Sequence, residues 1–106
     1  MLKKVCFILL SSYCLLVASV IPSGKTKVIQ IYSFPTNEAV LFKIENPIDE
    51  CTGYFITKSD IGFDANLSMV LSAYHSKNKL VIHGVPEILF SGSSAKYCKA
   101  SAIHFL

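Results

Sequence analysis

The sequence predicts a small, mainly β domain with one helix, in the order β-β-β-α-β-β, closed by one disulfide. Three observations predict it. Runs of β-branched and aromatic residues lie at 27–34, 39–46, 54–58 and 80–85. One stretch, 67–74, instead repeats its apolar residues at helical spacing. Two cysteines, Cys51 and Cys98, remain in a chain that opens like an exported one. Alternation marks a strand with one buried face, whereas recurrence at i, i+3, i+4 and i+7 marks one face of a helix.

Lys3 and Lys4 precede a nearly unbroken apolar run from Val5 to Val17, followed by the small residues Ala18 and Ser19. A basic start, an apolar centre and a small-residue end compose a cleavable export signal. Cleavage after Ser19 places Val17 and Ser19 at the positions a signal peptidase reads. Residues 1–19 are therefore expected to be the signal, and 20–106 a single small domain in the periplasm or outside the cell. The thirteen residues from 5 to 17 fall short of the roughly 20 that span a bilayer. No membrane attachment is expected after the signal leaves. Tyr13 before Cys14 does not suit lipid modification.

Ten lysines and no arginine face seven acids. The signal takes two of those lysines, leaving a net charge near +1 on residues 20–106. Without arginine there is no bidentate fork for phosphate or guanine edges, and the lysines are scattered rather than clustered, which argues against a nucleic-acid partner. Cys6 and Cys14 leave with the signal. An isolated pair in an oxidising compartment is usually bonded, so Cys51 and Cys98 are expected to form a disulfide across a separation of 47 residues. Chain-entropy reasoning values that crosslink at about 4 kcal/mol. A metal site would need two more ligands at a recognisable spacing, and a redox pair would need Cys-x-x-Cys; neither is present.

The first two strands, "KVIQIYSF" (27–34) and "AVLFKIEN" (39–46), flank "PTNE" (35–38), whose proline and asparagine suit a tight turn, so they read as a hairpin. Val40, Phe42 and Ile44 form one apolar face; Leu41, Lys43 and Glu45 form a mixed one. After the turn residues of "NPIDECTG", "YFITK" (54–58) is a short third strand. Leu67, Val70, Leu71 and Tyr74 then make a helical stripe of about three turns, with Asp64 or Asn66 as the expected N-cap. "NLS" at 66–68 also fits a glycosylation acceptor, but a cap explains Asn66 better. The helix should end at "SKNK" (76–79), and "LVIHGV" (80–85) should be a strand ended by Gly84 and Pro86. "SGSS" (91–94) reads as a flexible loop, and Cys98 leads into a fifth strand in which Ile103 and Phe105 share a face.

This layout resembles a group of small exported bacterial proteins, largely uncharacterised. It has a first cysteine ahead of a Tyr-containing strand, the helix "LSMVLSAY", a K-x-L-V-I strand, a second cysteine and a final "AIHFL". Through them it is similar to the receptor-binding subunits of ring-forming bacterial toxins. The resemblance covers roughly residues 50–106 and implies a small OB-like, partly open barrel with its helix between the third and fourth strands. It leaves homo-oligomer formation open and transfers no functional residue.

Catalytic motifs are missing. His75, His83 and His104 show no His-x-x-x-His or Glu-x-x-His spacing, and the last two lie out of phase with apolar neighbours, as surface residues do. None of the serines at 59, 68, 72, 91, 93, 94 and 101 sits in Gly-x-Ser-x-Gly, and the glycines are dispersed. No catalytic, cofactor-binding or metal-ligating residue is expected, and no cofactor. The expected function is a secreted or periplasmic binding module for an unidentified protein or glycan ligand. The alternative is a periplasmic inhibitor or immunity-type protein that blocks an enzyme through "EILFSGSSAKY" (87–97), where Ile88, Leu89 and Phe90 adjoin the loop.

Overall fold

The computed structural model describes residues 19–106. All of the expected signal but Ser19 therefore lies outside the described residues. Among the described residues the chain forms six strands and one α-helix: β1 Ile21–Pro22, β2 Val28–Phe34, β3 Ala39–Ile44, β4 Gly53–Thr57, α1 Phe63–Ser76, β5 Leu80–Leu89 and β6 Tyr97–Phe105. The described residues are thus mainly β, with one helix between β4 and β5. The sixth strand, β1, is the two-residue element that the expected five did not include.

The strands form one mixed sheet in the order β1-β5-β6-β4-β3-β2. All pairings are antiparallel except β4 with β6, which is parallel with Tyr54 opposite Cys98. The two edge strands, β1 and β2, are consecutive in the chain, so residues 23–27 must carry the backbone from one edge of the sheet to the other. Thr26 is the joint. Its backbone exchanges bonds of 3.0 and 2.8 Å with Leu80, and its buried hydroxyl accepts the Asn46 N–H at 3.0 Å. Ser23 adds a second stitch, its backbone N–H donating to Ile82 O at 2.9 Å and its hydroxyl accepting the Ile82 N–H at 3.0 Å. A single bridge between Thr26 and Leu80 is not a ladder. The sheet therefore curls toward a barrel without closing into one, an order compatible with the OB-like resemblance.

Hairpin β2–β3 forms where the turn chemistry places it. Pro35–Asn37 make one turn of 3-10 helix, and Glu38, left-handed at φ 50°, donates its N–H to Pro35 O. β3 differs from its expected half-buried character, since Ala39 and Leu41 are buried as fully as Phe42 and Ile44. One face joins the main core of Val28, Phe42, Ile44, Tyr54, Ile56, Val70, Leu80 and Ile82 beneath α1. The other joins a second cluster of Ala39, Leu41, Phe55, Phe90 and Tyr97. Phe90, delivered from the end of β5, lies 5.5 Å from the Phe55 ring and 5.4 Å from that of Phe34. No local period can announce a cover that comes from fifty residues away in the chain.

The helix starts earlier than its stripe suggested. Gly62 is the N-cap, no side chain caps the helix, and the Asn66 N–H donates to Gly62 O. Asp64 instead lies in the first turn, where its charge complements the helix dipole. Asn66 is a helical residue rather than a cap. The buried residues are Val70 and Ala73, with Phe63 and Leu67 packed against the core, while Leu71 and Tyr74 are about two-fifths exposed at 40% and 41%. The inward face is thus rotated toward Ala73, whose small side chain lets the helix approach the sheet. Lys77 ends the helix in the left-handed conformation and donates its N–H to Ala73 O, as the expected break requires.

β5 runs through Gly84 and Pro86 instead of stopping there. The ladder with β6 shifts register between His83 and Gly84 and again between Val85 and Leu89. Pro86 falls in the second irregularity, where its missing N–H removes no ladder bond.

The turn between β4 and α1 is tied by one carboxylate. Asp60 accepts the Thr57 backbone N–H at 2.8 Å, the Thr57 hydroxyl at 2.9 Å and the Lys99 ammonium at 2.7 Å. Burial works to raise the Asp60 pKa, but the bond from Lys99, the two from Thr57 and the Lys99 charge together hold it below the usual value. A depressed folded-state pKa contributes stability above the unfolded value of about 3.9, lost as pH falls through the lower folded value. Asp60→Asn should therefore destabilise the protein by about 1–2 kcal/mol at pH 7. In urea unfolding the gap between the two proteins should narrow toward pH 2. A gap independent of pH would show that the charge of Asp60 is idle.

Candidate binding groove

Cys51 and Cys98 are bonded, with Cα atoms 5.5 Å apart and both residues fully buried. The pair is structural. It sits where β4 begins beside β6 and belongs to the main core.

A concavity on the described surface lies elsewhere. A groove of about 510 Å³ runs between the last turn of α1 and the start of β2, lined by Lys27, Val28, Ile29 and Glu45 on the sheet side and Tyr74, His75 and Lys77 on the helix side. Its floor follows from backbone geometry: the Glu45 N–H donates to Lys27 O at 2.9 Å, holding the ends of β2 and β3 together. Its wall follows from the helix end, because the left-handed Lys77 turns the chain away immediately after Tyr74 and His75. Their rings meet edge to face with centroids 5.5 Å apart. Ile29 is half exposed at 52%, so one apolar side chain and one aromatic ring open to solvent between two ammonium groups and one carboxylate. Such a set suits contact with a flat or apolar ligand surface bearing negative charge; it holds no nucleophile beside a base.

The residues searched for chemistry are mostly dispersed. Ser101 donates to His83 O, Ser59 shares a bond with Thr57, and Ser93 accepts the Ala95 N–H. None of these contacts activates a hydroxyl. The three histidines do not converge, since His75 belongs to the groove. The sheet does, however, bring His83 and His104 together, with ring centroids 5.3 Å apart. Local spacing missed this pair because it depends on the register of β5 against β6. Of the apolar run proposed for enzyme blocking, Ile88 and Leu89 are each 47% exposed, whereas Phe90 is buried in the second cluster.

No protein-family model matches the chain, and a search of curated proteins finds none that matches it. Among the described residues no helix is long and apolar enough to cross a membrane.

Proposed function

We propose that this protein is a small exported binding module that holds its ligand in the groove between α1 and β2. One observation carries the reading: Tyr74 and Ile29, both exposed, line one concavity of about 510 Å³ together with Lys27 and Lys77. Binding sites combine apolar or aromatic surface with a few placed polar groups, and an aromatic face between cations suits a ligand with an apolar side and acidic substituents, whether glycan or protein. The export signal in the sequence and the buried disulfide support an oxidising compartment, periplasmic or extracellular.

Tyr74→Ala tests the groove, because the side chain is exposed and its loss should spare the fold. On a glycan array, and in pull-down from native extract, the wild type should retain an acidic ligand. Tyr74→Ala should retain it at least tenfold less well. Equal retention by both proteins would remove the groove from the reading.

Exposed Ile88 and Leu89 favour a second reading, an inhibitor that docks on an enzyme through the end of β5. There, pull-down should bring one stoichiometric enzyme, and Leu89→Asp rather than Tyr74→Ala should abolish its capture.

A further inference from the structure

His83 and His104 lie on neighbouring antiparallel strands. His83 pairs with Ala102 and His104 with Val81, so the two histidines occupy diagonal positions on one face of the sheet. His83 is partly exposed and His104 exposed. Neither ring makes a side-chain hydrogen bond among the described residues, so both are free to take a ligand.

Their separation falls in the range that two imidazoles sharing a metal would have. A histidine nitrogen binds zinc at about 2.0–2.1 Å, which puts the ring centroid about 3.2 Å from the ion; two such rings at a tetrahedral angle have centroids about 5 Å apart. The observed distance is 5.3 Å, with the ring planes 32° apart. We propose that His83 and His104 form a two-imidazole site for a divalent transition-metal ion of the zinc, nickel or copper class. The site departs from the expectation that no residue of this chain ligates metal.

Among the described residues no third histidine, cysteine or carboxylate gathers with the pair. The protein therefore supplies two ligands, and water or an incoming donor fills the remaining positions. Such a site is open and exchangeable rather than structural, and its affinity should follow the order in which copper exceeds nickel and zinc. Nitrogen donors without carboxylates exclude calcium and magnesium, which take oxygen.

The test is titration of the disulfide-bonded protein with Zn²⁺, followed by calorimetry and by the ring-nitrogen NMR signals of its histidines. The His83 and His104 signals should shift together to one saturation point, while those of His75 stay in place. His83→Thr and His104→Thr, chosen because threonine suits a strand, should each lower the affinity at least tenfold; His75→Thr should change it less than twofold. Movement of only one of the two rings, equal loss with His75→Thr, or unchanged affinity in either strand variant would overturn the site. The NMR readout on the wild type decides the matter even where a variant folds poorly.

Discussion

Replacing Cys51 and Cys98 together by alanine is expected to lower stability by about 4 kcal/mol. At about 4–8 °C for each kcal/mol in a domain of this size, the melting midpoint should fall by roughly 16–32 °C. The magnitude follows from where the bond lies. It joins residues separated by 47 positions and ties the start of β4 to β6, the one parallel pairing in the sheet. A parallel pair cannot be closed by a short turn, so its chain entropy must be met by distant contacts. The crosslink removes part of that cost from the unfolded chain. Both cysteines are fully buried, so a reductant should act only through opening of the fold, and reduction without denaturant should be slow. Thermal unfolding followed by circular dichroism checks the first expectation, and timed alkylation checks the second. A drop of less than about 5 °C in the double variant would show that the β4–β6 junction stands without its covalent tie.

A single methyl group at Gly84 should cost nearly as much. A Cβ there would stand 2.5 Å from Tyr54 Cε1, 3.2 Å from Cδ1 and 3.5 Å from the Cys51 sulfur. Tyr54 cannot retreat, because it is fully buried and stacked on Phe42 with ring centroids 5.9 Å apart. The disulfide closes the other side. Overpacking of a rigid core costs typically 1–3 kcal/mol, and Gly84→Ala belongs at the upper end, about 3 kcal/mol. Tyr54→Phe is the contrasting control. The Tyr54 hydroxyl is buried without a hydrogen-bond partner among the described residues, and burial, with the nearby Glu50 charge, pushes its pKa up to about 12. Removing an unpaired hydroxyl should change stability by less than about 1 kcal/mol. It should not rescue Gly84→Ala, since the clash is with ring carbons. Denaturant unfolding of the three variants separates these effects; a Gly84→Ala protein as stable as the wild type would show that β5 can move off Tyr54.

The strand that Gly84 belongs to illustrates how far local reading reaches. Gly84 and Pro86 are ordinary stop signals, and a strand ending at residue 85 is the sensible expectation. The strand continues because β6 tolerates two register shifts opposite these residues. The glycine is there for the Tyr54 ring and not for a turn. The helix stripe shows the same limit from the other side. Leu67, Val70, Leu71 and Tyr74 obey the helical period, yet the sheet accepts the helix through Val70 and Ala73 and leaves Tyr74 to line the groove. That groove was therefore hidden in a pattern that reads as core. His83 and His104 each looked like an isolated surface histidine for a related reason, since their proximity depends on cross-strand register.

The residues by themselves determined the five longer strands and the helix, the hairpin turn, a helix end within residues 76–79 and the pairing of Cys51 with Cys98. Each depends on chemistry within a few positions, or on there being only two cysteines outside the expected signal. Tertiary structure alone decided the parallel junction of β4 with β6, the return of residues 23–27 across the sheet, the second apolar cluster under Phe90, and the faces that remain open. These depend on which distant surfaces meet, and a side chain's period records only that it is apolar, not what will cover it.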